Sequence, residues 1–522
     1  MVKLFLIAIT ALSLLVNLYR ISEVPPSLSW DEASVGYDAY AISIDGKDQW
    51  GEKFPLAFKS FEEYKYPFHI YSTSLFVSIF GLSEFSVRAP SAILGVFNVL
   101  ILFFLIKVIT KKEGLALISA LFLSISPWFI HFSRLNWEIN FALFFFLLGL
   151  LFFFYGLSKK SFFLILSFIF FGIDLYTYNA SKIFVPVFLL ILIFIYRKEL
   201  LSLKYITIVS FIAFGVIISF SFFNPSLSGL TRFQQVSFDQ TLVRNTILYK
   251  ISKNHYLGRA EIILKQYLSH FSPQFLFKSG DSNPRHSSQV SGQLYITDLF
   301  LIPLGLLFLV KSKEKYRFIF LAWFLLAPLP AAIAKEAPHA SRTMFALGGW
   351  QVVSALGVLY LIKIIGNDFK KIVTRLLVVL VLISFFSYLY GYFYIYSNKY
   401  AHVWQYGYKV FFDKYKSRFS EFDNILISDR YDQPYIFALF YLKYNPEKFR
   451  SEVSYNDTIR RKTSLVKSFD KFTFRDIDYY QISKGRNLIF THPTDKMDEI
   501  EWKEIIRNPD GSIGGYVYEY EK

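Results

Sequence analysis

The stretch YPFHIYSTSLFVSIFGL, residues 66–82, decides how the rest of the chain is laid out. It is apolar enough to suggest a membrane crossing. It is also short, opens on a Tyr-Pro pair, and carries His69 and several hydroxyls. A spanning helix needs about 20 mostly apolar residues, whereas a shorter amphipathic helix can lie in the interface. The two readings give every later segment opposite orientations.

Outward from this stretch, apolar runs recur at 4–20, 88–110, 115–131, 139–157, 161–177, 183–196, 205–223, 295–310, 318–334, 343–364 and 374–397. Charge chooses between the two orientations. Suppose 66–82 stays in the interface and the N-terminus is cytoplasmic. Lys107, Lys111, Lys112, Lys159, Lys160, Arg197, Lys198, Lys204, Lys311, Lys313, Lys315, Arg317, Lys363, Lys370, Lys371 and Arg375 then face inward. The short outer turns keep only Arg134, Lys182, Lys335 and Arg342. That is the bias of cytoplasmic loops toward Lys and Arg. The sequence therefore predicts an α-helical polytopic membrane protein of about eleven spans, sited in the cell membrane with its C-terminus outside. An even number of spans with an external N-terminus is the alternative. The opening run MVKLFLIAITALSLLVNLYRI reads as an uncleaved span, since no small-x-small cleavage site closes it.

Composition agrees with this class. Hydrophobic residues make up 54% of the 522 and aromatic residues 20%, more than a soluble core requires. The net charge of +16 would suggest nucleic acid in a soluble protein. Here the cations sit in turns between apolar runs, so membrane lipids and no nucleic acid are the expected partners. The absence of Cys excludes disulfides, zinc-thiolate sites and Cys nucleophiles.

Residues 1–397 are expected to form the transmembrane domain, with large outer loops at 21–87 and 224–294. Residues 398–522 read as a small extracytoplasmic α/β domain. NILISD, RNLIFTH and GGYVYEYE look like strands, and DQPYIFALFYLKY like a helix started near Pro434.

The unusual polar residues collect on the outer side. In SLSWDEASVGYDAY (27–40), Asp31 and Glu32 are either solvated loop acids or a general base made more basic by aromatic neighbours. Glu138 opens a Phe-rich run, either as an interfacial anchor and partner of Arg134 or as a second carboxylate of the same site. Lys65 in FEEYKYP and Lys182 in TYNASK either snorkel to the headgroups or meet a lipid phosphate. GDSNPRHSS (280–288) brings Arg285 and His286, and KEAPHASR (335–342) brings His339 and Arg342. His with Arg suits a phosphate or pyrophosphate. Two His and Asp281 also raise a metal, but no HExxH-like spacing accompanies them, so no metal and no cofactor are expected.

Three stretches carry a family resemblance: WDEASVGYDAY, YKYPFHIYSTSLFVSIFGLSEFSVRAPSAILG and SRLNWEINFALFFF. They resemble the polytopic GT-C glycosyltransferases, in particular bacterial relatives of the protein O-mannosyltransferases and of the lipid A aminoarabinose transferase. The resemblance spans roughly residues 1–400. It implies that 66–82 is a juxtamembrane helix, in keeping with the charge argument. It also implies that Asp31 is the first-loop catalytic acid with Glu32 beside it, and Glu138 a second acid where many relatives have Asp. Lys65 matches the Lys that meets the lipid phosphate, although Tyr-Pro follows it here in place of Pro-Pro. No WWDYG-like motif is present, so transfer of a single sugar is favoured over transfer of a whole oligosaccharide.

The implied function is transfer of a monosaccharide from a polyprenyl-phosphate carrier to a protein, lipid or glycan acceptor on the outer face, with inversion. His339, Arg342, Arg285, His286 and Lys182 would join Lys65 at the phosphate. A multi-pass transporter or flippase is the competing class. It calls for ionisable residues within spans, for which Asp174 is the one good candidate. A binding protein anchored by its membrane part is a third reading.

Overall fold

The computed structural model of the chain describes residues 1–61, 63–229, 238–457 and 459–522. The part of the expected outer loop 224–294 at 230–237 lies outside the described residues. The chain divides into two compact units: Met1–Tyr19 with Ser91–Gly391, and Arg20–Pro90 with Tyr392–Lys522.

The first unit is helical. Every apolar run read as a span falls on a helix or a helix pair. Among the described residues, 5 helices are long and apolar enough to cross a membrane: Glu84–Thr110, Glu138–Ser158, Lys204–Phe223, Met344–Ile364 and Asn367–Lys399. A sixth results if Glu113–Ile125 and Pro127–Ser133, bent by 62°, form one span. The bend falls at Ser126-Pro127, where proline can start a helix but cannot continue one. Shorter apolar helices run over Val2–Leu18, Phe163–Asp174, Ser181–Ile195 and Tyr316–Ala332.

Aromatic rings fill the core of this unit. Phe146 touches Phe184, Phe188, Trp323 and Phe345, each with ring centroids 5.2–5.3 Å apart and edge-on, the geometry that aromatic quadrupoles favour. Glycines let two helices meet at the backbone. A Cβ on Gly305 would stand 1.9 Å from Val353 O, and one on Gly357 would stand 2.0 Å from Leu301 O. Asp298–Lys311 and Gly349–Ile364 therefore pack with no side-chain layer at those points, the role of small residues between membrane helices.

The second unit is built on a sheet. Strands β1 (Phe58–Ser60) and β2 (Glu63–Lys65) form an antiparallel hairpin. A 7-stranded sheet contains β3 (Asn424–Ile427), β4 (Ser454–Tyr455), β5 (Val466–Phe469), β6 (Phe472–Phe474), β7 (Arg486–Thr491), β8 (Glu504–Arg507) and β9 (Ile513–Glu521). Its order is β4-β5-β6-β3-β7-β9-β8, with β3 parallel to β6 and β7 and the remaining pairs antiparallel. The strands expected in NILISD, RNLIFTH and GGYVYEYE are present, as is a helix over Pro434–Tyr441.

The unit boundaries differ from those read in the sequence. Residues 20–90 pack with the C-terminal segment rather than forming a loop of the helical unit. The reason is apolar burial. Ala33, Val35, Tyr37 and Ile70 share one core with Tyr408, Phe411, Phe437 and Phe440, and Tyr37 Oη donates to Tyr444 O at 3.0 Å. A Cβ on Gly36 would collide with Val87 and Phe440, 2.6 and 2.7 Å away, so the helix Trp30–Asp45 sits against its neighbours. The stretch 66–82 becomes the helix Pro67–Phe80, begun by Pro67 and ended at Gly81 with φ 72°. It belongs to this second unit.

Candidate functional site

In the second unit, Asp31 and Glu32 occupy the first turn of the helix Trp30–Asp45. Successive helical residues point about 100° apart, and here that separates the two acids. Ser29 and Glu32 form a capping box: Ser29 Oγ accepts from Glu32 N at 3.3 Å, and Glu32 Oε2 accepts from Ser29 N at 3.2 Å. Glu32 is fully buried. Arg88 Nε reaches Glu32 Oε1 at 2.9 Å and Nη2 reaches Oε2 at 3.2 Å. The other guanidinium hydrogens go to the carbonyls of Ile21, Pro25 and Ser27, and Trp404 lies 5.9 Å from the guanidinium carbon.

Glu32, expected beside Asp31 as a catalytic acid, stands here in a buried ion pair and a helix cap. A carboxylate with no solvent exposure, locked by a guanidinium and a cap, holds the loop 20–29 to its helix. The cap has a local signal, since Ser29-Trp30-Asp31-Glu32 has the S-x-x-E spacing of a capping box.

Asp31 is different. Its side chain is 38% exposed, and Lys65 Nζ lies 3.1 Å from Oδ1. The same ammonium donates to Asp31 O at 3.0 Å and stands 5.1 Å from the ring of Phe61. Lys65 is the last residue of β2, so the hairpin delivers it to the helix start. Behind this pair are buried polar groups the sequence did not single out. Asp38 accepts from Gln49 N and Nε2, both at 3.0 Å. Burial, with the nearby Asp48 carboxylate adding to it, pushes its carboxyl up to about 8.

In the helical unit, Glu138 is the first residue of its helix, where a helix N-terminus favours an anion. Arg134, whose side chain is fully buried, donates from Nη1 to Val16 O at 2.7 Å and Asn17 O at 3.0 Å. It thereby satisfies carbonyls at the end of Val2–Leu18. Lys182 Nζ donates to Leu227 O at 2.5 Å. Arg342 donates to Lys335 O and lies 4.0 Å from Glu336.

The turns 280–288 and 335–342 come together. His286 and His339 have ring centroids 4.4 Å apart. Asp281 Oδ2 lies 3.4 Å from His286 Nδ1 and 3.9 Å from His339 Nδ1. The same oxygen accepts from Ala340 N at 2.8 Å. Arg285 O is bonded to His131 Nε2 at 2.8 Å, and His339 N donates to His270 Nε2 at 3.1 Å. The sequence put both His in phosphate-binding turns. It also raised Asp281 with them, and the fold brings 281 and 339 together.

The sequence profile of the dolichyl-phosphate-mannose-protein mannosyltransferase family matches residues 65–223. No curated protein sequence matches the chain. Among solved structures, ArnT from Cupriavidus metallidurans is similar in its apo state, with TM-score 0.59 and 10% identity, over 99% of this chain and 97% of that one. The same protein bound to undecaprenyl phosphate gives TM-score 0.54 and 13% identity over the same shares. The archaeal oligosaccharyltransferase AglB from Archaeoglobus fulgidus, in complex with an inhibitory peptide and a dolichol-phosphate, gives TM-score 0.50 and 15% identity. That match covers 84% of this chain and 63% of AglB. The chain has the fold of the GT-C glycosyltransferases. Within that class, the matched profile is that of the mannosyltransferases named above.

Proposed function

We propose that the protein is an integral-membrane glycosyltransferase that moves a monosaccharide from a polyprenyl-phosphate carrier to an acceptor outside the cell membrane. The observation that carries this reading is the Lys65–Asp31 pair: a cation 3.1 Å from a carboxylate that is still 38% exposed. The fold supports it, as do the lipid phosphates named with the ArnT and AglB structures.

In this mechanism the donor phosphate draws the Lys65 ammonium to itself and frees the Asp31 carboxylate. Asp31 takes the proton from the acceptor hydroxyl or amine as that atom attacks the anomeric carbon. The new bond forms as the bond from the anomeric carbon to the phosphate oxygen breaks. The electron pair leaves with the polyprenyl phosphate, whose growing charge Lys65 stabilises. One displacement inverts the anomeric centre.

The sequence reading adds Arg285, Arg342 and Lys182 as further phosphate cations and Glu138 as a supporting acid. About eleven spans, an inner N-terminus and an extracytoplasmic C-terminal segment complete the reading.

The test is a transfer assay on the purified full chain with a panel of polyprenyl-phosphate sugars, read by mass spectrometry. Asp31→Asn should abolish product formation with the active donor while the protein still purifies as a folded monodisperse species. Near-normal turnover by that variant would remove Asp31 from the role of base.

A further inference from the structure

We propose that Asp281, His286 and His339 form a binding site for one divalent transition-metal ion of the zinc class, in the helical unit. The inference does not depend on glycosyl transfer, and it replaces the expectation of no metal.

Geometry carries it first. The ligand atoms of the three residues all lie within 4.8 Å of one another. A tetrahedral ion with bonds of about 2.0–2.1 Å has ligand–ligand edges of roughly 3.3 Å. The edge from Asp281 Oδ2 to His286 Nδ1 is 3.4 Å, and the edge to His339 Nδ1 is 3.9 Å. Closing the second needs only a small rotation of one imidazole.

The second observation is an unmet demand. His286 Nδ1 is buried and has no hydrogen-bond partner of acceptable geometry. A buried polar atom in that state needs an explanation, and an ion bound between it and Asp281 supplies one. Ser341 Oγ, 3.0 Å from His339 Nδ1, is the group that would turn away when the ion binds.

The surroundings are those of a supported site. Metal-binding residues are normally held by a further layer of hydrogen bonds. Here Asp281 accepts from Ala340 N through Oδ2 and from Asn283 N through Oδ1, at 2.8 and 2.9 Å. His339 is anchored through its main-chain N–H to His270, and the 280–288 turn through Arg285 O to His131. Two His and one carboxylate leave a fourth position open. That donor set suits zinc, cobalt or nickel, and not magnesium or calcium, which prefer oxygen. The ion would tie the turn 280–288 to the turn 335–342, and so set where Arg285 and Arg342 stand.

The experiment titrates cobalt(II), and separately zinc, into the full-length chain in detergent after chelator treatment. Bound metal is read by elemental analysis and cobalt by its visible spectrum. The expected result is one equivalent per chain, with the intense bands of four-coordinate cobalt. His286→Gln and Asp281→Asn should each weaken binding by at least tenfold, while His492→Gln in the other unit leaves it unchanged. Two results overturn the proposal: less than a tenth of an equivalent bound by the unaltered chain, or binding within twofold of the parent in both site variants. The first needs no variant to fold. Either would leave Asp281 and His286 as a close polar pair with no ion between them.

Discussion

Arg88 and Glu32 form an ion pair sealed from solvent, with Nε 2.9 Å from Oε1 and both side chains fully buried. Its neighbour Asp31 points out and meets Lys65. Two adjacent acids thus have separate tasks, one in holding the fold and one at an accessible surface.

The buried pair should behave as a structural element. Removing one partner strands a charge in the interior, at a cost of about 3–5 kcal/mol. Arg88→Met is therefore expected to lower the thermal midpoint sharply, while Arg88→Met combined with Glu32→Leu recovers part of the loss. Scanning fluorimetry in detergent checks this. A double variant no better than the single one would show that the pair is not what couples these positions.

Asp31→Asn should do the opposite. Stability stays close to the parent, while turnover falls by roughly 10²–10⁴, the range for loss of a positioned general base. Parallel melting and transfer measurements on one preparation separate the two effects. A fall in the melting point matching that of Arg88→Met would assign Asp31 to the fold.

Lys65→Ala removes the cation but leaves the base. The expected signature is a higher KM for the lipid-linked donor with a smaller change in kcat, since a phosphate contact made in both ground and transition states acts mainly on binding. A kinetic titration of donor at saturating acceptor reads it. An unchanged KM would take Lys65 away from the phosphate.

Asp38 gives a pH dependence with a definite sign. Burial first, then the nearby Asp48, raises its carboxyl to about 8, against an opposing Lys65 and the Gln49 hydrogen bonds. An unfolded Asp titrates near ~3.9. The folded state therefore favours the protonated form. That stabilisation is fully present below about pH 4 and is lost as pH rises through about 8. Melting temperatures measured between pH 5 and pH 8.5 should fall for the parent and fall less for Asp38→Asn. Equal slopes for the two would contradict the assignment.

The helices were legible because each apolar run is long and bounded by Lys, Arg or Pro, which are local signals. Strands such as Arg486–Thr491 were legible for the same reason. The grouping of residues 20–90 with the C-terminal segment was not, because it rests on contacts such as Tyr37 with Tyr444 that lie far apart in sequence. Asp31 and Lys65 were picked out by resemblance and chemistry, and the fold brings them together. The buried ion pair of Glu32 with Arg88 was not legible, because 32 and 88 meet only in the fold. Asp281 was raised with the two His in the sequence, but its meeting with His339 needed the fold, since the two lie far apart along the chain.

The glycine contact between Asp298–Lys311 and Gly349–Ile364 has a mechanical consequence. Helices that touch backbone to backbone have no side chains to re-rotamer, so they cannot slide past one another in small steps. These two act as a strut. Compliance in the helical unit then falls to elements such as Lys204–Phe223, in which Ser210 alone is fully buried and which packs on Phe163–Asp174 through Gly172 and Ile217.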